Sequence, residues 1–309
     1  MKYLTYSFES KTSLGVLING QVINLNKASK GIIPNCMIDF LKEFESNHLW
    51  VKKNINQLSS NGLKLENVVL HSPIPRPHSL RDAYAFRQHV EAGRKSRGLE
   101  MIPEYDLFPV FYYSNHNAVG GPGEICIQKE QSIKLDYELE IAAVIGKKGI
   151  NIDIDKADDY IAGFTIMNDL SARSLQKEEM KLSLGPAKGK DFLTTLGPFL
   201  VTKDYLEKFC ISSSNGDRYD LDMKAFLNGK LLSNDNFKNI SWTFAEIISR
   251  VSNRTYIYPG DVIGSGTCAT GCLLELNQTN KTDIWLNDGD EITLEIENLS
   301  SLTNTVKIV

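Results

Sequence analysis

The chain has 309 residues, enough for one large domain or for a small domain joined to a larger one. With 42% hydrophobic and 23% charged residues it has enough apolar surface to bury a core, which excludes a disordered or fibrous chain. A net charge of −4 gives no electrostatic reason to expect nucleic acid or an anionic membrane as a partner.

In chain order, residues 1–70 read as a small α+β domain. Residues 3–7 and 14–17 are strand-like, and Asn19-Gly20 is a good two-residue hairpin turn before Val22 and Ile23. Residues 37–58 are predicted helical, because Met37, Phe40, Leu41 and Phe44 recur on one face. Three prolines within residues 71–77 predict a stiff extended linker over 71–78. From residue 79 to 309 the chain becomes strand-rich, with Gly and Pro at the turns. Tyr84, Phe86 and Val90 predict a helix over residues 81–97. Residues 135–145 and 163–169 are strand-like, and residues 155–161 and 172–179 read as short helices. Phe244, Ile247, Ile248 and Val251 predict a helix over 242–252, and late strands are expected at 260–264, 273–276 and 290–296. The sum is an α+β fold dominated by β-structure. Apolar stretches such as residues 141–145 are far too short to cross a bilayer, and the first residues open no signal peptide, so a cytoplasmic location is expected.

The five cysteines, Cys36, Cys126, Cys210, Cys268 and Cys272, are odd in number and scattered, which argues against a disulfide framework. Cys268 and Cys272 form a CxxxC pair, but no second Cys/His pair in the sequence completes a zinc site. They are expected to be buried free thiols.

The chemistry concentrates in acidic residues. In residues 135–145 alternation places Asp136, Glu138 and Glu140 on one strand face, opposite Tyr137, Leu139 and Ile141. A solvated acidic face would carry the same letters. The abrupt change after Glu140 to Ile-Ala-Ala-Val-Ile, however, implies a strand entering a core, where charges need partners. Asp169 closes the second apolar run and can meet them at a strand end. Converging carboxylates repel one another unless a cation sits between them, and all-oxygen ligation favours magnesium, manganese or calcium. Asp82 is either an acid at a helix start or a fourth oxygen ligand, with His89 two turns along the same predicted helix. A lysine would balance such a site, and spacing alone leaves Lys188 and Lys190 equal. The glycine-punctuated segment 264–271 lets backbone amides approach a substrate, but it lacks a phosphate-loop pattern.

Taken together, the segments DAYAFRQH (82–89), DYELE (136–140), NDLSARSLQ (168–176), GKDFLTT (189–195) and GSGTCATGCLLEL (264–276) resemble the fumarylacetoacetate hydrolase family. The likeness runs from about Ser79 to the C-terminus, with the first 70 residues matching only as that family's variable small domain. It implies a β-rich mixed roll, usually dimeric, with a magnesium, manganese or calcium ion held by carboxylates. By this resemblance Asp82, Glu138, Glu140 and Asp169 are the metal ligands, and His89 is the catalytic base oriented by Glu275. Lys190 rather than Lys188 is the lysine beside the metal, with Thr194 next to it, and Gln176 matches a substrate-contacting position, from which it is expected to act with Lys190 as a catalytic donor to an oxyanion. Tyr84, Thr267 and, more loosely, Tyr112 match substrate-contacting positions, as does Arg97 if one residue is missing between it and His89. Met180 stands where fumarylacetoacetases place a substrate-contacting tyrosine, and the chain beyond Thr267 is shorter than theirs.

The resemblance further implies hydrolytic C–C cleavage of a β-dicarbonyl acid by His89-activated water, with an enolate leaving group. Decarboxylation or isomerisation of 2-oxo or hydroxy-diene diacids is the alternative on the same site.

Overall fold

The structure, a computed structural model, describes residues 1–58, 62–95, 98–183 and 185–309. The two apolar runs form strands, as predicted. Leu139–Ile145 and Ile161–Asp169 are buried at every position and pair antiparallel, Ile141 opposite Ile166. Burial on both faces explains why they read as continuous apolar runs rather than alternating ones. Thr194–Thr202 pairs with the far edge of Ile161–Asp169, and Val262–Gly264 with the other edge of Leu139–Ile145. Leu80–Ala83 then runs parallel to Val262–Gly264, and Phe111–Ser114 lies beyond it.

The amino-terminal strands extend this sheet. Lys2–Phe8 pairs with Thr194–Thr202 on one side and with Lys11–Ile18 on the other, which turns back through Asn19-Gly20 into Gln21–Asn24. Both turn residues have positive φ, as a tight hairpin of this kind requires. Among the described residues the sheet has 12 strands. The proline-rich segment packs against it. His71 donates its N–H to Thr5 O at 3.0 Å, the Thr5 hydroxyl donates to Pro73 O at 2.8 Å, and Ile74 is fully buried.

Alternation sends the two faces of the sheet to different cores. Leu139, Ile141, Ala143 and Ile145 join Phe164, Tyr219, Phe237 and Phe244, beneath a five-stranded sheet that includes Asp222–Leu227, Glu291–Ile296 and Ser300–Ile308. Ala142 and Val144 join Tyr3, Met37, Phe40 and Leu41, covered by the helices Met37–Lys42 and Phe44–Leu58. The helix Phe244–Ser252 starts at Thr243, which makes a capping box with Glu246.

Several expectations give way. The helix predicted over residues 81–97 is instead the strand Leu80–Ala83 followed by the helix Arg87–Lys95. Asp82 therefore does not share a helix with His89, because pairing with Val262–Gly264 captures residues 80–83 as strand. The strand predicted at 273–276 is the start of a helix, Leu273–Asn280. Leucine and glutamate are good helix formers, and a short apolar run does not distinguish the two states. Residues 155–161 divide into the helix Ile154–Ala157, a single 3₁₀ turn Asp158–Tyr160 and the start of the next strand. Of the cysteines, Cys268 and Cys272 are buried, but Cys36 and Cys126 are exposed and Cys210 is half-buried. All five are free thiols. No helix among the described residues is long and apolar enough to cross a membrane.

Candidate active site

The strand ends of the main sheet place the acids. Asp82, opposite Gly264 in parallel register, shares the face of Leu80, while Asp169 closes its strand opposite Thr194. Glu140 lies two residues before Ala142 and so points to that same side of the sheet. Glu138 precedes the regular strand and is tied by a bridge to Cys272 and by its N–H to the Asn168 side-chain oxygen at 3.0 Å. One carboxylate oxygen from each of Asp82, Glu138, Glu140 and Asp169 lies within 4.8 Å of the others, and all four residues are buried.

Two glycines make room for this convergence. A Cβ on Gly264 would stand 2.5 Å from Asp82 Oδ1. Gly266, at φ +79°, donates its N–H to the same oxygen at 3.0 Å, and a Cβ there would meet Ala83 O at 2.6 Å.

Lys190 is buried against the cluster, bonded to Glu138 and, at 2.8 Å, to Asp169 Oδ2. Lys188 points away to Asp191 at 2.9 Å and is exposed. The Tyr112 hydroxyl donates to Asp169, and Thr194 Oγ1 to Asp169 Oδ1 at 3.3 Å. Arg173, at the start of the helix Arg173–Met180, binds Glu138 Oε1 at 2.7 Å, Asp136 Oδ2 at 2.8 Å and Gln176 Oε1 at 3.0 Å. Asp136 is thus no solvated neighbour. It is fully buried, and its carboxylate also accepts the Leu273 and Leu274 N–H groups at 2.7 and 3.0 Å. It caps the helix that carries Glu275.

Electrostatics separate the four acids. Burial opposes ionisation of Glu138, but Lys190 and Arg173 outweigh it and hold that carboxyl at about 2. Asp82 is pushed up to about 7 by burial and by the nearby Asp169 charge. Burial raises Asp169 also, although Lys190 opposes it. Glu140 rises well above the ordinary range through burial and the charge of Asp82, and among the described residues neither of its oxygens meets a nitrogen or hydroxyl donor. An orphaned, fully buried carboxylate costs several kcal/mol on the order of the desolvation penalty for an unpaired charge. Among the described residues, Lys190 and Arg173 are the buried cations bonded to a group of five buried carboxylates, counting Asp136. This all-oxygen, over-negative donor set fits a hard divalent cation.

Asp82 and Glu138 of the cluster line a cavity of about 990 Å³. Tyr84, Tyr112, Gln176, Lys190 and Thr267 line it, as do Met180 near its mouth and the pair His89 and Glu275. His89 Nδ1 and Glu275 Oε2 are 2.7 Å apart, and the other Glu275 oxygen accepts the Thr270 N–H at 3.0 Å. Arg97 lies outside the described residues. Sequence reasoning missed Arg173, although it sits inside the segment from which Gln176 was singled out. Its signal is an arginine at a helix start, where cations are disfavoured unless carboxylates face them.

The profile of the family described as fumarylacetoacetate (FAA) hydrolase, C-terminal, matches residues 79–307. A fumarylacetoacetate hydrolase domain-containing protein 2 homolog from Dictyostelium discoideum is 30% identical over 314 residues, covering 99% of this chain and 96% of the relative. The oxaloacetate tautomerase YisK of Bacillus subtilis is 29% identical over 323 residues, covering 99% of this chain and 100% of its own length. Among solved structures, maleylpyruvate hydrolase from Sphingobium sp. SYK-6, in complex with manganese(II) and pyruvate, superposes with a TM-score of 0.73 at 20% identity, covering 100% of this chain and 99% of that one.

Proposed function

Because the chain belongs to the fumarylacetoacetate hydrolase family, we propose that it is a metal-dependent hydrolase that breaks a C–C bond in a small β-dicarbonyl acid of the acylpyruvate or fumarylacetoacetate kind. The observation that carries this reading is the His89–Glu275 pair, which shares one cavity with Asp82 and Glu138 of the carboxylate cluster. Asp82, Glu138, Glu140 and Asp169 would hold one divalent ion, Mg²⁺ with Mn²⁺ or Ca²⁺ as substitutes. When bound, that ion supplies Lewis-acid polarisation of the substrate's carbonyl oxygens.

The chain's own residues do the rest. Glu275 accepts the Nδ1 proton of His89, which leaves Nε2 as the base that takes a proton from water. The hydroxyl oxygen attacks the carbonyl carbon, the adjacent C–C bond breaks, and its electron pair leaves on carbon as an enolate. The imidazolium then returns its proton to that carbon, so the base is regenerated. Gln176 has its oxygen engaged by Arg173 and offers its NH₂ to the developing oxyanion, as Lys190 offers its ammonium. Each well-placed donor of this kind is worth about 3 kcal/mol. Tyr84, Tyr112, Thr267 and Arg97 would contact the substrate.

A second reading, keto–enol conversion of oxaloacetate or another 2-oxo diacid, is favoured by full-length similarity to YisK. It needs the same proton carrier but no hydrolytic water. The metal-loaded protein should be given an acylpyruvate and, separately, enol-oxaloacetate, with products followed by NMR. Hydrolysis that falls about 10²–10⁴-fold in His89→Ala is the expected result. Accelerated tautomerisation without any acid released from the acylpyruvate would overturn the hydrolase in favour of the tautomerase.

A further inference from the structure

The His89–Glu275 pair has a third neighbour that the hydrolytic scheme leaves idle. One ring nitrogen of His89, the Cys272 sulfur and a Glu275 carboxylate oxygen all lie within 4.8 Å of one another. Cys272 stands immediately before the helix Leu273–Asn280, where its sulfur accepts the Glu275 N–H at 3.5 Å. His89 arrives from the helix Arg87–Lys95. Cys272 is fully buried, whereas His89 and Glu275 line the cavity, so an ion would enter from the cavity side with the thiol behind it.

We propose that His89, Cys272 and Glu275 form a second cation site, selective for thiophilic divalent ions such as Zn²⁺, whose occupation switches the enzyme off. Nitrogen, sulfur and oxygen ligands with a fourth direction open to cavity water make the donor set of an open zinc site. Zinc bonds of about 2.0–2.3 Å bring ligand atoms to within roughly 3.3–3.8 Å of each other. The wider separations in the triad, up to 4.8 Å, therefore have to shrink by about 1.5 Å at most, while the 2.7 Å contact of His89 Nδ1 with Glu275 opens by roughly 0.6 Å if that nitrogen takes the ion, through rotations of the His89 and Glu275 side chains. The ion takes the place of the thiol proton, which leaves to solvent, and His89 binds in its neutral form. Members of an all-oxygen cluster suited to hard ions (Asp82 and Glu138) and of an N/S/O triad suited to softer ones (His89 and Glu275) thus line the same cavity. Whichever ring nitrogen the ion takes, it removes either the basic lone pair of His89 or its bond to Glu275. Binding stands on the triad alone, whereas inhibition rests on the reading of His89 as the base.

The test uses Mg²⁺-loaded enzyme in which Cys36, Cys126 and Cys210 are replaced by serine, titrated with Cd²⁺ as a spectroscopic stand-in for Zn²⁺. Absorbance reports thiolate-to-metal charge transfer, and turnover is followed in the same samples. One equivalent should raise the band as turnover falls. Cys272→Ser should abolish the band, keep uninhibited turnover, and raise the inhibitory Cd²⁺ concentration at least about tenfold, the lower end of what weaker metal-site perturbations cost. Zn²⁺ should inhibit with the same dependence on Cys272, and Cys268→Ser should keep the band. A band that never appears, or that survives in Cys272→Ser, overturns the site. A saturating band with unchanged turnover overturns the switch, and with it the role of His89 as base.

Discussion

At the scale of single residues, Glu140 makes the strongest demand for a ligand. Both of its carboxylate oxygens are buried without a nitrogen or hydroxyl donor among the described residues, while Glu138, one alternation away, has Lys190 and Arg173. The same residue type two positions apart thus serves two ends. Glu138 is paired with protein cations, whereas Glu140 meets none among the described residues. Glu140→Gln should remove repulsion and stabilise the metal-free protein by about 1 kcal/mol or more, visible as a rise of a few degrees in Tm. The same variant should weaken divalent-metal binding at least about tenfold in calorimetry. Equal metal affinity in mutant and parent would remove Glu140 from the ligand set.

At the scale of elements, the site depends on how closely strands and helix starts approach. The short parallel pair Leu80–Ala83 and Val262–Gly264 brings Asp82 to the cluster only because Gly264 has no side chain. Gly264→Ala would place a methyl 2.5 Å from Asp82 Oδ1 and 2.8 Å from the Met167 side chain. It should cost about 1–3 kcal/mol by overpacking, measured by urea unfolding, and it should lower metal affinity as Asp82 swings away. Normal affinity would mean that Asp82 stays in place, or that it is not a ligand. Asp136 plays the corresponding part for helices. By capping the Leu273–Asn280 helix and gripping Arg173, it fixes the dyad carboxylate and the Gln176 helix relative to one another.

For the whole molecule, the buried acids make stability depend jointly on pH and metal. Asp82 has a folded value of about 7 against an ordinary 3.8, so its contribution is complete below 3.8 and is lost as pH rises to about 7. The raised Asp169 and Glu140 act in the same direction. Glu138, lowered from 4.5 to about 2, contributes stability above 4.5 that is lost as pH falls through about 2. A divalent ion binds the ionised cluster in competition with protons. The rise in Tm on adding Mg²⁺ or Mn²⁺ should therefore be larger at pH 8 than at pH 5. A metal-induced shift independent of pH across this range would contradict a ligand set of raised carboxylates.

Much of this was legible in the residues. The two buried strands, the Asn19-Gly20 hairpin and the Phe244–Ser252 helix follow from local periodicity and turn chemistry, which neighbours in sequence supply. The abrupt passage from Glu138-Leu139-Glu140 into an apolar run likewise announced acids entering a core. What the chain could not announce is every feature that depends on a partner far along it. Residues 80–83 are strand because residues 262–264 lie beside them, and residues 273–276 are helix, with Asp136 capping the first turn. The bridging Arg173 and the meeting of Cys272 with His89 are of the same kind, and spacing by itself leaves Lys190 and Lys188 equal until the family resemblance chooses between them. Local sequence determines the backbone states that short-range sterics and burial patterns favour. Which charged groups share one desolvated space is decided only when tertiary packing excludes water and obliges them to find each other.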